Sequence, residues 1–256
     1  MTEYNVHILD ELKQFYLVCQ PIVKVHANSL LKSIVDYEVL IRSRKNDRFP
    51  FDAFRKLIEC EAYNDVLIEW FEWEFKNLLH KFPDYKFDIN IDPQQFKYPR
   101  TWVFIKNISD EHQRIAIEIT ETIPLNKEFT TQDEFFKKSP LAVLKKIGFK
   151  TVIDDIGTGQ NSLQLVANNL EKIDRLKISL LAFRGLRNDV IFQFLEAWFN
   201  LANKYNFEFV VEGIDNKITA KNLVSGGLIM QQGFFWQEPH VLEGTAKRLN
   251  RLNNIY

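Results

Sequence analysis

In the stretch KTVIDDIGTGQNSL, from Lys150 to Leu163, an apolar run ends in two adjacent carboxylates, Asp154 and Asp155, and then a glycine-bearing loop. Neighbouring carboxylates at the end of a buried run repel each other and lose solvent, so a cation, a basic side chain or water must offset them. Other apolar runs carry polar residues in the same place. Glu38 closes VDYEVL, Asn90 closes FDIN, Glu118 lies in IAIEIT, Lys177 in RLKIS, Glu212 closes VVEG and Gln232 follows LIMQ. Acids from several segments, one amide oxygen and few histidines form an oxygen-rich set suited to hard divalent ions such as Mg2+ or Mn2+. An acid bridging two such ions, with its neighbour completing the second, serves in-line displacement at phosphorus. Zinc fits poorly, because His7, His26, His80, His112 and His240 show no ligand spacing. Each residue also has an ordinary reading. Asp and Gly form turns, Lys177 can be a structural ion-pair partner, and Gln20 and Gln232 can satisfy neighbouring backbone groups.

The segments that must position this set alternate in character. β-rich runs occur at YLVCQPIV, SIVDYEVLI, KFDINI, IAIEIT, KTVID, DRLKIS, FEFVVEG and GLIMQQG. Helical patterns lie between most of them, in FDAFRKLIECEAYNDVLIEWFEWEFKNLLHKF, DEFFKKSPLAVLKKIG and NDVIFQFLEAWFNLANKY. This alternation predicts an α/β fold, a TIM-like (β/α)8 barrel whose carboxyl face gathers the strand-end residues. KVHANSLLK is too short for a crossover helix, so the first two runs should form a hairpin, with one strand antiparallel. Two adjacent acids point to opposite faces within a strand, but at its end the backbone turns and both can face the mouth.

The 256 residues, 46% hydrophobic and 26% charged, predict a single domain over 1–256, with a core from about 16 to 242 and short terminal extensions. A bare domain is expected, without a sensor or cyclase module before Gln20. A formal net charge of -1 excludes the polybasic character that DNA or RNA polymers require. Two cysteines, Cys19 and Cys60, make no disulfide framework. With no secretory leader and no membrane-length apolar run, the expectation is a cytoplasmic protein. The aromatic-rich WFEWEF reads as core or dimer packing.

Taken together, CQPIV, YEVLIR, INIDP, IEITE, VIDDIGTGQNSL, DRLKIS, VVEGID and QQGFFWQEP, in this order from about Cys19 to Pro239, resemble the EAL-domain cyclic di-GMP phosphodiesterases. The resemblance implies a bacterial enzyme with two Mg2+ or Mn2+ ions that hydrolyses cyclic di-GMP to linear pGpG. It implies Glu38, Asn90, Glu118 and Asp154 as ligands of the first ion and Asp155 for the second. Lys177 resembles a lysine that orients or deprotonates the attacking water, and Glu212 an acid serving the second ion or general-base chemistry. Gln20, Arg42 and Gln232 match substrate-holding positions, and Glu121 an acid that anchors the DDIGTG loop. Arg42 also has its own rationale, since a planar guanidinium suits paired phosphate oxygens. Family members often dimerise beside this loop, where Phe135, Phe136, Phe183 and Trp198 are candidates for a homodimer contact.

Several positions depart from the family pattern. Val39 replaces Ala, Val211 replaces Ala, Asp215 replaces Glu, Asp92 replaces Ser, and Ser179 stands where an aspartate is usual. None removes an implied metal ligand. Ser179 and Asp92 motivate an alternative reading, a catalytically silent receptor for the nucleotide or for a protein partner.

Overall fold

The computed structural model describes residues 10–26, 30–122 and 140–243. Eight strands close in sequence order into a barrel: β1 (Phe15–Val25), β2 (Lys32–Ser43), β3 (Phe87–Ile91), β4 (Ile115–Ile119), β5 (Lys150–Ile153), β6 (Arg175–Ser179), β7 (Glu208–Glu212) and β8 (Met230–Gln231). The hairpin expectation holds. β1 pairs antiparallel with both β2 and β8, while every other neighbouring pair is parallel. Its register sets Gln20 opposite Glu38, so one hairpin brings two polar candidates together.

Helices α1 (Phe51–Leu57), α2 (Glu61–Lys81), α3 (Pro99–Asn107), α4 (Pro140–Ile147), α5 (Leu163–Asn168), α6 (Asn188–Tyr205) and α7 (Lys217–Ser225) occur among the described residues. The long pattern expected from Phe51 to Phe82 divides into α1 and α2 at Ile58–Cys60. Helix α3 escaped the apolar periodicity; Pro99 at its start supplies the fixed φ that a first turn favours. Within WFEWEF, Phe71 and Phe75 are buried core, Trp70 packs edge-on to Phe15, and Trp73 is exposed. Phe183 and Trp198 are partly buried against the core, and Phe135 and Phe136 lie outside the described residues.

The main hydrophobic core includes Ile89, Ile117, Leu176, Ile178 and Val211 from the strands, with Phe75, Phe104, Leu144 and Leu195 from the surrounding helices. Burial of each such side chain contributes about 1.5–3 kcal/mol, so this layer dominates the stabilisation. Alternation along a strand sends the intervening residues inward. There charged and polar groups stand among apolar ones such as Ala116, Val152 and Val210. Arg175 on β6 spans the interior to reach Asp36 on β2 and Asp88 on β3, the latter at 2.5 Å, and its Nε donates to Glu208 at 2.7 Å. Two residues further along the same three strands lie Glu38, Asn90 and Lys177, which form the next tier. No described helix is long and apolar enough to cross a membrane.

Candidate active site

Lys177 occupies the middle of the upper tier, fully buried. Its Nζ lies 2.6 Å from Glu118 Oε1, 2.5 Å from Glu212 Oε1, 3.2 Å from Glu38 Oε2 and 3.8 Å from Asp154 Oδ1. Four strands thus deliver acids around one ammonium delivered by a fifth. Burial by itself would discharge Lys177, but Glu118, Glu212 and Glu38 outweigh it and raise the amine well above its ordinary range. Glu38 is the best-satisfied acid. Asn90 Nδ2 donates to its Oε1 at 2.8 Å, and Gln232 Nε2 donates to its Oε2 at 2.6 Å. Burial opposes its charge, yet Lys177, Asn90 and Gln232 hold the carboxyl below the usual range. Gln232 also donates to Gln20 Oε1 at 3.3 Å, and Gln20 donates to the Gln237 carbonyl at 3.1 Å.

The opening puzzle of adjacent aspartates is resolved by backbone geometry. Asp154 follows β5, its N–H donating to the Ile119 carbonyl at 3.1 Å, and Asp155 adopts a left-handed φ of 43°. That turn, which Asp tolerates better than most residues, sets both carboxylates beside Glu121. The following loop is pinned to β4. Asn161 Nδ2 donates to the Ile119 carbonyl at 3.2 Å and to the Asp154 carbonyl, and Gln160 N donates to the Glu121 carbonyl at 3.0 Å. Gly159, at φ 45°, permits this approach, because a Cβ there would stand 2.2 Å from the Glu121 carbonyl oxygen. The loop contact therefore runs through the Glu121 main chain, while its carboxylate faces the acidic pair.

Two groups of three carboxylates result, Glu38–Glu118–Glu212 and Glu121–Asp154–Asp155, each with oxygens within 4.8 Å of one another. One lysine cannot neutralise them. Burial, with the neighbouring acids adding to it and Lys177 opposing it, pushes Asp154 up to about 7 and Glu212 up to about 8. Burial and the charges of Glu212 and Glu121 push Asp155 up to about 6. Glu118 rises well above the ordinary range, again chiefly through burial. Among the described residues, Glu118 Oε2 and Asp155 Oδ1 are buried oxygens without a hydrogen-bond partner. Unpartnered, crowded carboxylate oxygens of this kind fit hard divalent cations.

A cavity of about 940 Å³ opens over this set, lined among others by Glu38, Arg42, Asn90, Glu121 and Asp155. Arg42 is half-buried, and its Nη1 donates to the Ile41 carbonyl at 2.9 Å. Asp92 and Ser179, two of the five departures, have structural tasks. Asp92 Oδ1 accepts from Gln94 N at 2.8 Å and Gln95 Oε1 accepts from Asp92 N at 3.0 Å, a reciprocal cap on the turn Pro93–Lys97. Ser179 Oγ accepts from Leu181 N at 3.3 Å, capping the next turn. The sequence pointed to Glu121 as a loop anchor but not as a third carboxylate beside Asp154 and Asp155, and it did not show the pinning by Asn161; GQNS, with a polar amide inside a loop, was the available signal for Asn161.

The EAL domain family model matches residues 5–239. The chain belongs to this family. Among curated relatives, this EAL domain is 28% identical to the probable cyclic di-GMP phosphodiesterase PdeN of Escherichia coli over 93% of the chain and 46% of that protein. It matches the standalone EAL protein of Vibrio cholerae O395, solved bound to c-di-GMP, with a TM-score of 0.66 at 22% identity, covering 90% of this chain and 94% of that one. It matches BlrP1 of Klebsiella pneumoniae, solved with manganese and cyclic di-GMP, with a TM-score of 0.67 at 20% identity, covering 90% and 61% of the two chains. The EAL domain spans about a third to a half of the length of the curated relatives it first matches.

Proposed function

We propose that this EAL domain hydrolyses one phosphodiester bond of cyclic di-GMP to give linear pGpG, using two Mg2+ or Mn2+ ions. The observation that carries the reading is the pair of three-carboxylate groups beside Lys177, of which Glu38, Glu121 and Asp155 line a nucleotide-sized cavity, with buried oxygens left unpartnered. The relatedness to PdeN and the nucleotide and manganese bound by structural neighbours support it.

Glu38, Glu118, Asp154 and the Asn90 carbonyl oxygen would hold one ion, and Asp155 the other, with Glu212 and Glu121 at hand for the second. Such ions, when bound, supply Lewis acidity and an activated water. The chain's own groups do the rest. Lys177 Nζ, held among Glu118, Glu212 and Glu38, is placed to orient a water or a phosphate oxygen by donation. Glu212, 2.5 Å from Lys177 Nζ, is the acid to serve the second ion or to act as general base. Arg42 presents a planar fork to a phosphate, and Gln20 and Gln232, bonded to each other, hold the substrate beside Glu38. Incubation with cyclic di-GMP and Mn2+ or Mg2+ tests the proposal: pGpG is expected, and none above a Glu38→Ala control would end it. Tight nucleotide binding without turnover in either metal would instead favour the receptor, the reading that Ser179 motivates.

A further inference from the structure

The cavity has a second wall that the acids and the metal chemistry do not use. Phe49 and Phe51 are large aromatics left 43% and 60% exposed, and both line the cavity together with half-buried Phe54. Their rings are gathered. Phe49 lies 5.2 Å from Phe54 and 6.5 Å from Phe51, centroid to centroid, at interplanar angles of 54° and 69°. The backbone that carries them is tied down. Ser43 N donates to the Arg48 carbonyl at 2.9 Å, Arg48 N to Asn46 Oδ1 at 3.1 Å, and Phe51 N to the Phe49 carbonyl at 2.9 Å. Phe54 in turn packs against a small core of Leu12, Phe15, Leu57, Ile58 and Leu67, so the platform has a rigid backing.

Exposed aromatics on a fixed backbone, inside a cavity whose floor is acidic, are costly unless a ligand covers them. The occupant must be flat and apolar at one end and anionic at the other, because Arg42 and Arg55 line the same cavity. A nucleotide meets both demands: its base stacks, and its phosphate lies towards Arg42 and the carboxylate groups. We infer that Phe49 and Phe51, backed by Phe54, form a stacking seat for a nucleobase of the ligand. The inference rests on the proposed phosphodiesterase reading for the position of the phosphate end, but not for the stacking itself.

The test measures affinity for cyclic di-GMP, cyclic di-AMP and guanosine 5′-monophosphate by calorimetry in Ca2+, alongside hydrolysis of cyclic di-GMP in Mn2+. Thermal melting and Mn2+ affinity check that each variant keeps its fold and its metal centre. The double variant Phe49→Ala/Phe51→Ala should weaken nucleotide binding about 10-fold or more, the scale of losing one base stack. Phe51→Tyr, which keeps a ring, should bind as the parent does, and Phe51→Leu, which keeps apolar area without one, should not. Unchanged affinity in the double variant, with hydrolysis intact, would overturn the seat and leave the phosphodiesterase standing. Ring-dependent binding with no hydrolysis would keep the seat and remove the phosphodiesterase. Failure of all three nucleotides to bind the parent protein would overturn the seat, as would a change of oligomeric state in the alanine variants with nucleotide affinity unmoved.

Discussion

At Glu118 the proposed metal chemistry and the stability of the fold oppose each other. Its Oε1 pairs with Lys177 at 2.6 Å, yet its Oε2 is buried without a partner and its carboxyl is raised well above the ordinary range, chiefly by burial. Glu118→Gln should lower phosphodiesterase turnover and Mn2+ affinity by at least about 100-fold, the upper range for residues that merely support metal ligands. The metal-free melting temperature should hold or rise, because Lys177 retains Glu38 and Glu212. Gly159→Ala probes the loop instead. With a Cβ placed 2.2 Å from the Glu121 carbonyl oxygen, the loop must shift, so turnover should fall steeply while circular dichroism stays that of the folded barrel. The strand-end residues were legible only as a set, because polar groups closing so many apolar runs must meet at one face once the barrel closes. Asp36 and Asp88 were not, since a polar residue within a strand usually faces water, and only closure of the barrel reveals Arg175 between them. Phe49 and Phe51 were hidden for a related reason: FPFDAF reads as the apolar face of a starting helix.

Helices α2 and α3 are joined by a charged contact as well as by apolar packing. Glu72 on α2 accepts from Lys76 at 2.7 Å, and from Arg100 at 2.7 Å and Asn107 at 2.9 Å on α3. Burial opposes the charge, but these donors outweigh it and hold the Glu72 carboxyl below its usual range. A carboxyl depressed by folding contributes stability above its unfolded value, about 4.3, and loses it as pH falls through the lower folded value. Glu72→Gln should therefore cost about 1–3 kcal/mol at pH 7 in urea unfolding, and the gap to the parent should close as pH drops below about 4. Hairpin β1–β2 was readable from the short connection, and α3 was not, because a nine-residue helix opened by proline carries little periodic signal.

For the whole molecule, the ionic lower tier shares the barrel interior with buried apolar residues such as Ala116, Val152 and Val210. Arg175→Met would leave Asp36 and Asp88 buried and unpaired, at a cost of about 3–5 kcal/mol in denaturant unfolding. Replacing all three by apolar residues of similar volume should recover most of that loss, because a buried ion pair and a well-packed apolar substitute are near equals. The barrel as a class was foreseeable from eight alternating runs, whereas a charged tier beneath the carboxylate rim was not.

Closure itself depends on a very short strand, whose joins to β1 and to β7 have two residue pairs each. Strand β8 has two residues, pairs with β1 only at Val23–Gln231 and Lys24–Met230, and is followed at once by Gln232, whose amide reaches Glu38 across that join. A cylinder stitched so lightly at one seam should breathe there first, and a nucleotide gripped by Gln20 on one lip and Gln232 on the other would act as a clasp. Amide protons from Leu228 to Gly233 should then exchange fast in the free protein and slow markedly once cyclic di-GMP is added.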